Sequence, residues 1–210
     1  MNNSTTPTQD VTHDQWFRFF APTGILNVSW GKAPINHGTF TDPADVERQF
    51  NEAQARQESF WFRVNVAERG TGGSGSVQDS DIILYIALPI DIDLPPSLKH
   101  APIEERNNWR DSGVKILDAG DVIPRPSLIV SSGNGLAAYL LLDKPMQLNP
   151  DEYRAVVGGI AATLKQAGFD TSDPKIINPS RLMRYPFGRN YKAALPDGSY
   201  PEAKVLKVNA

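Results

Sequence analysis

The 210-residue chain predicts an α+β fold, a mostly antiparallel sheet with flanking helices. Three observations predict it. Helix-like and strand-like segments are mixed without the regular rhythm of a βαβ protein. Residues 82–94 form the strongest apolar run and read as a buried strand. Residues 127–142 hold two apolar runs around Ser-Gly-Asn-Gly, the pattern of a hairpin.

The elements follow in order. Residues 1–13 are rich in Asn, Thr and Gln and read as a loose leader. Trp16, Phe17, Phe19 and Phe20 supply an aromatic cluster that anchors the first element. Residues 41–57 predict a helix: Thr41 or Asp42 caps it, Pro43 suits its first turn, and Val46, Phe50 and Ala53 share a face. Residues 60–66 alternate as a strand does. The stretch Arg-Gly-Thr-Gly-Gly-Ser-Gly-Ser at 69–76 reads as a connecting loop, because it lacks the Gly-Lys-Ser/Thr ending of a P-loop. Residues 101–120 are charged and helical in parts. Residues 149–167 predict a second well-marked helix, capped by Asn149, started by Pro150 and stopped by Gly168.

Composition narrows the function. Hydrophobic residues are 40% and charged residues 21%, with 9 Phe, 6 Tyr and 4 Trp, enough for a packed core. The absence of cysteine excludes disulfides and thiolate metal sites. The net charge of −3 argues against a basic nucleic-acid wrapper, so any grip on phosphate must come from a local patch. The longest apolar run is about half of the roughly 20 residues that a spanning helix needs. Residues 1–10 lack the apolar core of a secretory signal. A cytoplasmic protein with no membrane partner is the expectation.

Three features could carry chemistry. Asp91 and Asp93 lie two apart at the end of the apolar strand, so they face the same way. Paired carboxylates repel, and a divalent cation relieves that cost; two wet aspartates at a strand end would also explain them. Ser132-Gly133-Asn134-Gly135 offers small residues and backbone N–H groups to an anion, or is a turn that needs glycine. Asp173, Arg181, Arg184 and Lys192 combine a third carboxylate with cations that suit a triphosphate or a template backbone, or form a basic solvated loop. His13, His37 and His100 share no ligand spacing and read as surface or loop residues.

In this order the three features resemble the archaeo-eukaryotic primase superfamily, in particular the small primase-polymerase domains of phage, plasmid and other mobile-element replication proteins. Ile90 to Asp93 matches an apolar strand ending in Asp-x-Asp. Ser132 to Leu136, then Ala137 to Leu140, matches Ser-Gly-x-Gly with a following strand. Asp173, Arg181, Arg184, Pro186, Asn190 and Lys192 match an Asp upstream of Arg-x-x-Arg-x-Pro and Asn-x-Lys. The resemblance covers roughly residues 55–195.

The resemblance implies one catalytic domain over 14–210, with an N-terminal α/β module at 14–80 and an RRM-like palm at 81–210. It implies a DNA primase or DNA-directed polymerase, transferring nucleotides from an NTP or dNTP on a single-stranded DNA template. Asp91, Asp93 and Asp173 would hold Mg²⁺ or Mn²⁺. Ser132, Gly133, Asn134, Gly135, Ala137, Arg184, Asn190 and Lys192 would bind the nucleotide, and Arg181, Arg189 and Tyr191 the DNA, with Tyr185 or Tyr191 stacking bases. A helicase or DNA-binding region would complete the full-length protein. Two departures stand out. Ala137 replaces a His that contacts the nucleotide's phosphates, which implies weakened or lost activity. Phe187-Gly188 replaces Gly-Thr after the proline. The alternative is a catalytically silent single-stranded DNA or nucleotide-binding module of a replication initiator.

Overall fold

The computed structural model describes residues 11–32, 35–67, 77–169, 173–192, 194–195 and 197–209. The first ten residues of the expected leader and the glycine-rich loop at 69–76 lie outside the described residues, apart from a leader end that is already structured. Thr12 caps α1 (His13–Phe20) through its side chain, with Gln15 reciprocating. The elements then run β1 (Leu26–Gly31), β2 (Asn36–Phe40), α2 (Pro43–Ala55), β3 (Ser59–Arg63), β4 (Val66–Ala67), β5 (Ile82–Asp93), α3 (Ile103–Ala119), β6 (Leu128–Ser131), β7 (Gly135–Met146), α4 (Pro150–Gln166), β8 (Leu182–Arg184), β9 (Phe187–Arg189) and β10 (Glu202–Val208).

The caps fall where the side chains expected to make them stand. Asp42 accepts from Ala44 N at 2.8 Å and starts α2. Asn149 accepts from Asp151 N at 2.9 Å and starts α4. The charged stretch expected to be helical in parts is the continuous helix α3.

The fold is α+β. Its strands make a four-stranded sheet, β2-β1-β3-β8, and a six-stranded sheet, β4-β5-β7-β6-β10-β9. The strand pairs described are antiparallel. β8 comes late in the chain yet completes the first sheet beside β3.

Two apolar cores use the two faces of the larger sheet. Ala137 and Tyr139 of β7 join Trp16, Phe20, Phe62 and Tyr185 in the larger core. Leu136 and Ala138 of the same strand join Ile90, Ile92, Leu117 and Leu164 in the smaller. This period-two alternation puts Asp91 on the opposite face from Ile90 and Ile92. Trp16 is fully buried, edge-on to Phe62 and Tyr139 at 5.2 and 5.8 Å, so the aromatic cluster anchors α1 as expected. No helix among the described residues is long and apolar enough to cross a membrane.

Candidate active site

Asp91 and Asp93 end β5 beside the start of β7, with Asp91 opposite Ala137 and Asp93 opposite Gly135. A cation reaches Asp91 from a distant loop. Arg181 Nη2 donates to Asp91 Oδ2 at 3.1 Å and to Asp173 Oδ2 at 2.6 Å. The other oxygen of Asp173 accepts from Lys175 N at 2.9 Å and starts a short 3-10 turn, Pro174–Ile177. Two of the three expected carboxylates therefore converge. Asp93 is exposed, and among the described residues no three metal-ligating side chains gather closely enough to hold an ion together. Arg181, expected on the DNA path, lies between the acids.

The loop that carries Arg181 is pinned by residues to which sequence reasoning gave no role. Asn65 Nδ2 donates to Pro179 O at 3.1 Å. Arg63 Nη1 donates to Ser180 O. Ser180 N and Oγ donate to Asp79 Oδ1 at 3.0 and 2.6 Å, while Arg154 Nη2 holds Asp79 Oδ2 at 2.7 Å. Burial brings the Arg63 guanidinium down to about 10, against the pull of Asp79 and Asp81. No short motif encodes these ties; the one local signal is a polar Asn flanked by two buried valines, Val64 and Val66.

The electrostatics of the two acids differ. Burial pushes the Asp91 carboxyl up, and the neighbouring Asp93 and Asp173 add to it, outweighing Arg181. At Asp173, burial also acts upward, but the Lys175 N–H and Arg181 together bring the carboxyl below its usual range. Burial brings Arg184 down to about 10, against the pull of Asp91. Arg184 lies over the Trp61 ring, 5.0 Å from its centroid, and its Nη1 is shut off from solvent with no hydrogen-bond partner. An orphaned guanidinium donor near Asp91 suits an oxyanion. The all-oxygen carboxylate pair, already holding one cationic nitrogen, suits a hard divalent cation.

Two backbone N–H groups of the glycine turn are already engaged within the protein. Gly133 adopts φ +90°. A Cβ on Gly135 would lie 2.3 Å from Ile92 O, so glycine there lets β5 and β7 approach. Ser132 N is engaged by Gly135 O at 3.1 Å and Gly133 N by Ser131 Oγ at 3.2 Å. Buried Asn190 donates to Ser132 O at 2.8 Å and accepts from Lys192 N at 3.1 Å, tying the turn to the basic tail.

Arg189 and Lys192 are exposed. Tyr191 packs edge-on to Tyr200 at 4.9 Å. Arg189 and Tyr191 border a groove of about 600 Å³ with Phe50, Gln54 and Phe187. Two expectations are corrected. Tyr185 is 1% exposed, packed on Phe50 and Phe60, and cannot stack a base. His13 is no surface residue: its Nδ1 is 2.9 Å from Tyr185 Oη and its ring stacks on Phe187 at 4.3 Å.

Two solved structures share this architecture. One is the AEP domain of the cyanophage S-2L primase-polymerase, with a TM-score of 0.52 and 16% identity over 89% of this chain and 82% of that one. The other is the primase RepB′, with a TM-score of 0.51 and 11% identity over 94% of this chain and 57% of that one. The chain has the primase-polymerase fold. No protein-family model and no curated protein matches its sequence. Within the primase-polymerase fold of this chain, the converged Asp91 and Asp173 stand at the end of β5, with Arg184 on β8 nearby.

Proposed function

We propose that residues 14–210 work as one primase-polymerase domain that adds nucleotides from an NTP or dNTP on a single-stranded DNA template. The observation that carries this reading is the meeting of Asp91 and Asp173 on one arginine nitrogen. Asp91 and Asp173 would hold Mg²⁺ or Mn²⁺, with Asp93 flanking. When bound, the ion would lower the pKa of an attacking 3′-hydroxyl and offset charge on the leaving pyrophosphate. Arg184 and Lys192 offset triphosphate charge, and Ser132 to Gly135 with Asn190 shape the nucleotide's seat. The groove bordered by Arg189 and Tyr191 takes the template, with Tyr191 as its stacking surface. A helicase or DNA-binding region is the expected neighbour in a longer replication protein.

The test is extension of a labelled primed template, and synthesis without a primer, with Mg²⁺ or Mn²⁺. Product that disappears in Asp91→Asn supports the reading. No product from either the parent or Ala137→His refutes it.

The second reading is a silent binding module, and Ala137 favours it. This residue is 1% exposed and stands directly opposite Asp91, where the resembled family carries a histidine. Oligonucleotide binding without synthesis, with synthesis appearing in Ala137→His, would select it. Synthesis by the parent chain would dispose of it.

A further inference from the structure

α3 carries an arginine pair with no acidic partner. Arg106 and Arg110 are four residues apart and therefore share a helix face. Like charges at that spacing oppose the helix unless something offsets them. Arg106 is buried, at 3% exposure, and Arg110 is half-buried. Neither forms an ion pair among the described residues, and the Nε of each is shut off from solvent with no hydrogen-bond partner. Burial first, and then the charge of Arg106, brings the Arg110 guanidinium below its usual range; the adjacent Asp111 offsets this only in part.

Both side chains are aimed at the glycine turn. Arg106 Nη2 donates to Asn134 Oδ1 at 3.2 Å, and Arg110 Nη2 approaches Gly133 O at 3.5 Å. Arg110 Nη1 is anchored on Asn107 Oδ1 at 2.7 Å. Leu94 N donates to Asn134 O at 3.1 Å, which keeps this turn against the end of β5. With Ser132 N and Gly133 N engaged inside the turn, the positive charge here belongs to the helix.

We propose that Arg106 and Arg110 form a phosphate-binding site at the Ser132–Gly135 turn. Its ligand is a phosphate oxyanion, carried by a nucleoside triphosphate or by a nucleic-acid backbone. Paired guanidinium groups with planar donor forks suit that chemistry. The anion site stands on its own geometry; only the choice of these two phosphate sources rests on the polymerase reading.

Calorimetry with tripolyphosphate in the absence of divalent ions tests the site. The parent binds, and Arg110→Gln binds about tenfold more weakly or worse while keeping the parent's circular dichroism. Arg106→Lys, which keeps the charge but loses the fork, falls between them. Equal binding by the parent and Arg110→Gln, or no binding by the parent, overturns the proposal. A deoxynucleoside triphosphate and an oligonucleotide without a terminal phosphate are titrated next, and the one that weakens in Arg110→Gln is the source. If neither weakens, the proposal fails. Asp91→Asn, whose failed synthesis tests the polymerase reading, keeps tripolyphosphate binding, so the two ideas can fail separately.

Discussion

Asp91 and Asp173 are held by the same nitrogen, with Arg181 Nη2 at 3.1 Å from one carboxylate and 2.6 Å from the other. All three side chains are two-thirds or more buried. The guanidinium offsets a repulsion that a divalent cation would otherwise have to relieve. An ion bound at these acids would therefore exchange with the guanidinium.

Arg181→Gln leaves the two acids facing each other without the cation they share. In a chelator the variant is expected to lose about 2 kcal/mol, a fall in Tm of about 4–8 °C for a chain of this size. Millimolar Mn²⁺ should recover more of the loss in the variant than it adds to the parent. Thermal melting with and without Mn²⁺ checks this, and an unchanged Tm in chelator would contradict it.

Ala137→His puts an imidazole across the strand pair from Asp91. The position is buried and small, so the larger ring should cost about 1–3 kcal/mol through overpacking. Nucleoside triphosphate affinity should rise at the same time. Calorimetry and chemical denaturation on the same variant read both effects, and a stable variant with no gain in affinity would argue against a phosphate seat beside Asp91.

Asn65 joins three parts of the molecule. Its carbonyl accepts from Ile86 N at 2.9 Å, and its amide donates to Tyr153 Oη at 3.0 Å and to Pro179 O at 3.1 Å. Asn65→Ala leaves these buried groups unsatisfied and should cost about 3 kcal/mol or more, measured by urea denaturation. Ser59, at 9% exposure on a neighbouring strand, makes a control, since its substitution removes none of these bonds.

Asp79 sets a pH dependence. Burial acts to raise its carboxyl, but the bonds from Ser180 and Arg154 outweigh it and bring it below the usual range. A carboxyl lowered in the folded state contributes stability above its unfolded value, about 3.9, and loses it as pH falls through the folded value. Asp79→Asn should be less stable than the parent at neutral pH, with the gap closing below about pH 4. Denaturation midpoints across that range decide it; a gap that stays constant would place the effect elsewhere.

Local pattern made much of this protein legible. Asp42 and Asn149 declared their helices, and the two-residue spacing of Asp91 and Asp93 at the end of β5 predicted that they share a strand face. β2 was not readable, because Asn36 to Phe40 is polar and rests on a single partner strand. The glycine turn was seen, but the need for Gly135 proved to be the approach of Ile92 O.

The order of acidic, glycine-rich and basic segments was thus enough to expect this fold. Tertiary structure alone decided that Arg181 serves the acids while Arg184 stacks on Trp61, that Asp93 stays outside the pair, and that α3 brings two arginines to the turn. Caps and alternation depend on neighbours a few residues away, which a sequence displays. The partner of a charge depends on how distant segments are pinned, and here Asn65, Arg63 and Asp79 pin the loop that carries Arg181.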